Sequence, residues 1–245
     1  MRLIRIHVES PLATGAQVEL RGKAAEHVAR VLRLGAGDKI TLFNGDGVDY
    51  PSEIKALHKS SLTLAVRSAA LARAESPLAI TLVQGIARGE RMDLVVQKAT
   101  ELGVTAIVPI ATMRSVVRLD TETRAKKLSH WRGVAIAACE QCGRATLPAI
   151  AEPSDFESWL ARPSPPQTLR VLLSPQADAS LVATAARARR IEMLVGPEGG
   201  LEDTERDLAL TVGYRACRLG PRVLRSETAA VAALAVLQSV AGDLN

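Results

Sequence analysis

The chain has 245 residues, carries a net charge of +5 and has an isoelectric point near 9.4. It is 47% hydrophobic and 23% charged, the balance of an ordinary globular protein. Aromatic residues make up only 2%, which excludes base-stacking platforms as the main mode of nucleic-acid binding, while the basic surplus suits a polyanionic partner. The segment Met1–Val8 has no uninterrupted apolar core, and no stretch approaches about 18 uncharged apolar residues, so neither a signal peptide nor a transmembrane helix is expected. The three cysteines, Cys139, Cys142 and Cys217, suit a reducing cytoplasm better than a disulfide scaffold.

Residues 1–73 read as β-rich. Arg5–Val8 and Asp38–Phe43 alternate polar and apolar, and Asn44-Gly45-Asp46-Gly47 is a hairpin signal. Ser52–Leu57 and Ser61–Val66 continue the alternation. One helix is expected over Lys23–Leu34, with Ala24, Val28, Val31 and Leu32 on its apolar face. Lys23, His27 and Arg30 fall on the other face with Arg33 at its rim; such a stripe is either a solvated face or a row of phosphate contacts. Ala72–Pro77 reads as a linker.

From Leu78 the pattern becomes strand–helix alternation, which predicts a parallel α/β sheet. Strands are expected at Leu78–Ile86, Ala106–Ala111, Leu169–Leu173, Ile191–Val195 and Tyr214–Leu219. Helices are expected at Arg91–Gly103, Thr123–Cys142, Ser180–Arg190, from Glu202, and at Ser226–Val240, with a short piece at Phe156–Leu160. The final helix is apolar nearly all round, so it must be buried on more than one side. Cys139 and Cys142 close a helix rather than open one and have no second pair, which favours packing over metal or redox use. No metal site is expected.

Two turns stand out. Gly196-Pro197-Glu198-Gly199-Gly200 and Leu219-Gly220-Pro221-Arg222 each follow an apolar run and precede a helix. Ligands in open α/β sheets bind at such strand ends. The chain lacks the dinucleotide Gly-x-Gly-x-x-Gly, the phosphate loop and the Gly-x-Ser-x-Gly elbow. His7, His27, His58 and His130 all lie far from both turns in sequence, which disfavours a Ser-His-Asp triad. Glu198, Arg225 and the helix-end cluster Glu140, Gln141 and Arg144 remain as candidate polar groups.

Residues 194–201 and 219–229 resemble the cofactor loops of the knotted SPOUT methyltransferases, and more narrowly the RsmE family, which methylates N3 of a uridine in 16S ribosomal RNA. His27–Arg33, Phe43–Gly47, Gln97–Gly103 and Ala138–Arg144 match the same pattern. Cys142 stands where a Ser is expected, and Ser226 where a Thr is common. The resemblance implies a PUA-like RNA-binding β-barrel over 1–72 and a SPOUT domain with a C-terminal trefoil knot over 76–245. It implies S-adenosylmethionine held by Leu173, Gly196, Gly199, Gly200, Leu219, Gly220, Leu224 and Thr228. Lys23, Arg30, Arg33 and Arg144 would contact RNA phosphates. Arg225 would stabilise the uracil anion, and Glu198, or Glu140 from the other subunit, would accept its proton. The implied partners are 16S ribosomal RNA or the small ribosomal subunit and a second copy of the chain, in the cytoplasm. Two alternatives remain open: ribose 2′-O methylation, and a non-enzymatic RNA-binding or ribosome-assembly protein.

Overall fold

A computed structural model describes residues 4–72, 75–115 and 120–244, without the side chains of Lys23 and Thr121. Chain contacts divide it into two units, one of residues 1–75 with 139–147 and one of residues 76–138 with 148–245. The return of 139–147 to the first unit was not legible in the sequence.

The first unit is built on a six-stranded sheet. Its strands are β1 (Arg5–His7), β2 (Gln17–Arg21), β3 (Lys39–Phe43), β4 (Val48–Leu57), β5 (Ser61–Val66) and β6 (Ala70–Leu71). They run in the order β1-β3-β4-β5-β2, with β6 on β4; only the β1–β3 ladder is parallel. The Asn44–Gly47 turn joins β3 to β4 with Gly45 and Gly47 at φ +94 and +84, a region that L side chains rarely adopt. β5 shows the half-buried alternation, with Leu62, Leu64 and Val66 inward. Its core also takes Ile6, Val18, Leu20, Val28, Ile40, Leu42 and Ile54.

The helix expected over Lys23–Leu34 is shorter and changes type. An α-helical piece, α1 (Gly22–Glu26), runs into a π turn at His27–Val31. Leu32 N–H there donates to His27 O, five residues back. The wider turn takes more residues per revolution, so the 3.6-residue phase fails after Val28. Val31, expected on the apolar face, is 67% exposed, while Ala25 and Val28 are buried. Arg33 ends the element at φ +55.

The second unit holds a seven-stranded, wholly parallel sheet. Its elements are β7 (Ala79–Gly85), α2 (Glu90–Glu101), β8 (Ala106–Ala111), α3 (Thr121–Cys142, whose last turn belongs to the first unit), β9 (Ala149–Ile150), β10 (Ser154–Asp155), α4 (Phe156–Leu160), β11 (Leu169–Leu173), α5 (Leu181–Ala185), β12 (Arg190–Val195), α6 (Asp203–Thr211), β13 (Arg215–Cys217) and α7 (Ser226–Ala241). The strand order is β10-β8-β7-β12-β11-β13, with β9 on β8. β7 and β12 lie side by side at the centre and are near-continuous apolar runs, as strands covered on both faces must be.

α5 is five residues long, not the eleven expected, because a turn from Ala188 N–H to Ala185 O replaces its second half. α7 buries Ala230, Ala233, Leu234, Leu237 and Gln238, and packs on α2 and α5. Gln238 is held by Ser76 Oγ at 2.6 Å and donates to Leu102 O at 2.7 Å, which satisfies a fully buried amide. Among the described residues, no helix is long and apolar enough to cross a membrane.

Candidate active site

The carboxyl ends of β11, β12 and β13 open onto a cavity of about 630 Å³. That volume lies within the range of small-molecule sites. Both Gly-containing turns line it, as does the first turn of α7. Seven of the eight expected cofactor residues are in its wall: Leu173, Gly196, Gly199, Gly200, Leu219, Gly220 and Leu224. Thr228 is not. It is exposed on α7, because one helical turn presents Ser226 and Ala229, three residues apart, to the cavity and rotates Thr228 away.

The first turn is held close to the sheet. A Cβ on Gly85, at the end of β7, would sit 2.5 Å from Pro197 Cδ and N. Gly200 N–H closes the turn onto Pro197 O at 2.9 Å, with Gly200 at φ +71. The second turn is tied to the first. Ser226 Oγ donates to Gly196 O at 2.5 Å and accepts from the buried Gln84 amide at 3.0 Å. Gly220 adopts φ +106.

Glu198 lines the cavity, but its carboxylate is occupied. Its Oε1 accepts Arg88 N–H at 3.0 Å and Arg91 Nη1 at 3.0 Å. Burial pushes its pKa up. The N–H groups of Arg88 and of Glu198 itself, with the Arg91 guanidinium, outweigh that and hold it below the usual carboxylate range. A carboxylate held this way is a weak base. Arg91 also approaches Glu227 at 3.8 Å, so one guanidinium spans the acids beside both turns.

Arg225 is the N-cap of α7, where its carbonyl accepts Ala229 N–H at 2.8 Å; it lines the cavity and is exposed, and its side chain has no hydrogen bond or ion pair to any described residue. The pairing with Glu198 or Glu227 that its spacing allowed goes to Arg91 instead. Arg114 closes another wall: it binds Glu202 through two bonds of 2.7 and 3.0 Å and donates to Gly199 O at 3.0 Å. Arg91, Arg114 and the Gln84–Ser226 relay were missed in the sequence. Arg88–Arg91 directly follows a strand end, and that placement was the available signal.

Two polar expectations from the helix end fall elsewhere. Glu140 belongs to the first unit, where its Oε1 accepts His7 N–H at 2.9 Å. Burial raises its pKa, with the His7 N–H opposing. Arg144, expected at the RNA, is 4% exposed; its guanidinium binds Glu75 at 3.0 Å and its carbonyl accepts from the equally buried Arg5. It is a structural cation, buried away from any phosphate. Arg30 and Arg33 are exposed on and just after the π turn, and Lys23 lies in α1 with its side chain outside the described residues. The Cys139 thiol is buried and pushed up to about 12 by that burial, which makes it inert.

Comparison with known proteins gives two family matches. Residues 74–238 match the RNA methyltransferase domain, and residues 20–67 match the RNA methyltransferase PUA domain. A curated relative from Buchnera aphidicola (Schizaphis graminum), named ribosomal RNA small subunit methyltransferase E, is 31% identical over 100% of this chain and 99% of its own. A Legionella pneumophila protein solved in complex with the cofactor SAM is 38% identical, with a TM-score of 0.94 and 100% of both chains covered. A ribosomal RNA small subunit methyltransferase E from Neisseria gonorrhoeae, solved bound to S-adenosylmethionine, is 35% identical, with a TM-score of 0.92 over 99% of this chain and 100% of that one.

Proposed function

Because the chain belongs to the RNA methyltransferase family, we propose that it methylates N3 of a uridine in the 16S ribosomal RNA of the small subunit, with S-adenosylmethionine as methyl donor. The observation that carries this reading is the cavity itself: two Gly turns joined by Ser226, at three parallel strand ends, beside an unpaired arginine. The residues fit the cofactor. Gly196, Gly199 and Gly200 bring backbone to the wall without side chains, and Leu173, Leu219 and Leu224 supply apolar surface for an adenine. When bound, the sulfonium supplies an already activated methyl group.

The chain's own residues then have three tasks. The first is orientation, done by the two turns, which Arg91 and Ser226 hold together. The second is charge. Uracil N3 is a poor nucleophile until its proton leaves, and Arg225 with the positive end of α7 stabilises the resulting anion. The third is the proton. Glu198 is held ionised and serves to fix its turn; Glu140, raised by burial, is the stronger base of the two candidates and would come from the second copy. Arg30 and Arg33 contact RNA phosphates from the first unit.

Finer architecture follows the same reading. The first sheet closes as a PUA-like barrel, and the C-terminal segment forms a trefoil knot, in keeping with the ties from Ser226 to Gly196 and from Gln238 to Leu102. The face of α7 carrying Ala232, Val236 and Val240 is only half-buried, and a second copy covers it in a homodimer.

The test is mass spectrometry of 16S ribosomal RNA from cells with and without the protein. One N3-methyluridine is expected to disappear and to return when purified protein and S-adenosylmethionine are added to the deficient small subunits. Persistence of every methyluridine refutes the reading; loss of a 2′-O-methyl group instead reassigns the atom.

A further inference from the structure

Five arginines reach the cavity, and ion pairing divides them. Arg91 binds Glu198 at 3.0 Å, Arg114 binds Glu202 at 2.7 Å and Arg206 binds Asp203 at 3.0 Å. The side chains of Arg222 and Arg225 have no ion pair or hydrogen bond to any described residue, and both residues are exposed. Between them stands Val223, 80% exposed, while Leu224 beside it is half-buried against the cavity. The rim therefore offers two free cations around a bare aliphatic tip. Cations left free at a cavity mouth suit phosphates, and an apolar tip suits the face of a base whose neighbour has left the stack.

We propose that Arg222 and Val223 form a strand-gripping lip for single-stranded RNA: Arg222 takes the phosphate beside the target nucleotide, and Val223 packs on the base next to the one that enters the cavity. This rests on the function proposed above and names residues for its substrate side. Extruding a base costs unstacking energy, and an apolar side chain against the exposed neighbour offsets part of it. Arg225, nearer the reacting atoms, is then spared for the anion. A two-fold contact between copies centred on this lip would bring like charges together without a counterion, so RNA is the better match for its chemistry.

The test compares Arg222→Ala and Val223→Ser with Arg189→Ala, which makes the same charge change just before β12, at the opposite strand end from the cavity. Methyl transfer to deficient small subunits, S-adenosylmethionine binding by calorimetry and sedimentation are measured for each. Arg222→Ala raises the KM for RNA about 10-fold and lowers the salt slope of RNA binding by about 0.7. Val223→Ser lowers kcat/KM for RNA about 10-fold. Cofactor affinity and sedimentation stay as in the wild type, and Arg189→Ala keeps the wild-type KM. An unchanged KM in Arg222→Ala, an equal loss in Arg189→Ala, a parallel loss of cofactor affinity, or a change of oligomeric state in Val223→Ser overturns the inference. If the wild type binds S-adenosylmethionine but methylates no RNA, the proposed function fails and takes the lip with it. If the wild type is active and Arg222→Ala and Val223→Ser match it, the lip alone fails.

Discussion

Gly85→Ala tests whether the first turn has any slack. Gly85 is buried, pairs in register with Ile110 and has no positive φ, so alanine is acceptable to the backbone and the effect is steric. The new Cβ would lie 2.5 Å from Pro197 Cδ and N, and 2.9 Å from Gly196 C. Ordinary contact starts at 3.4 Å, so the turn has to retreat by about 0.9 Å. Pro197 Cδ is locked in its ring and cannot swing aside. A shift of that size along the Ser226 Oγ to Gly196 O bond, now 2.5 Å, takes it to the edge of hydrogen-bonding range. Overpacking of this kind costs about 2 kcal/mol, which for a chain of this size lowers Tm by about 4–8 °C. Losing one or two hydrogen bonds at the cavity weakens S-adenosylmethionine about 10-fold or more, and methyl transfer falls about 10²-fold because the bound geometry moves. The assay is calorimetric cofactor binding with thermal unfolding, alongside Gly133→Ala. Gly133 is exposed in α3 with nothing within 4 Å of its added Cβ, so alanine there raises stability by up to about 1 kcal/mol and leaves binding alone. A Gly85→Ala protein with wild-type Tm and wild-type affinity refutes the reasoning.

Arg225→Ala lowers kcat by about 10²-fold or more with cofactor affinity retained, and Arg225→Lys recovers part of it, as single-turnover rates with calorimetry will show. Arg91→Ala costs under about 1 kcal/mol in urea unfolding, because its pair with Glu198 is partly exposed, yet it weakens cofactor binding measurably by freeing both turns. Glu198 and Glu140 give opposite pH signatures. The Glu198 carboxyl is lowered in the fold, so it contributes stability above the unfolded value near 4.5 and loses it as pH falls through the folded one; Glu198→Gln is destabilised at neutral pH and matches the wild type in acid. The Glu140 carboxyl is raised, so its ionisation opposes folding at neutral pH, and Glu140→Gln is as stable as the wild type or more so there, with the gain vanishing below about pH 4. The acid limb of the rate profile also moves in Glu140→Gln and not in Glu198→Gln if Glu140 is the base.

The parallel sheet was legible because β7, β8, β11 and β12 are long apolar runs whose ends are marked by Gly or Pro. The cavity was legible for the same reason: Gly turns at strand ends follow from local sequence. What failed did so for non-local or phase reasons. The His27–Val31 π turn breaks a period that the residues alone appear to keep. β2 was overlooked although it alternates cleanly and Gly15, at φ +85, marks the turn before it. Arg144 reads as a free cation until Glu75, distant in sequence, is folded onto it. Thr228 was placed by motif, and one-residue helical rotation decides such placements. The ion pairs of Arg91 were invisible because its acids, Glu198 and Glu227, are more than a hundred positions away; only its place after a strand end pointed to it.

The return of residues 139–147 to the first unit sets a timetable. Phe43 packs with Cys139 and Ala145, the Arg5 guanidinium reaches Arg144 O, and Glu140 caps His7 N–H, so this unit's own interior includes residues from far along the chain. During synthesis residues 1–75 emerge first, but their last hydrophobic and ionic partners follow only after the 72 residues from 76 to 147. At about 5–20 residues per second, the nascent first unit waits roughly 4–14 s with Phe43 short of its packing partners and with His7 N–H and Arg5 Nη2 short of theirs. A fragment cut after residue 75 stays in that waiting state permanently, and expression of the RNA-binding half as a separate piece succeeds only if the 139–147 strap is spliced back onto it.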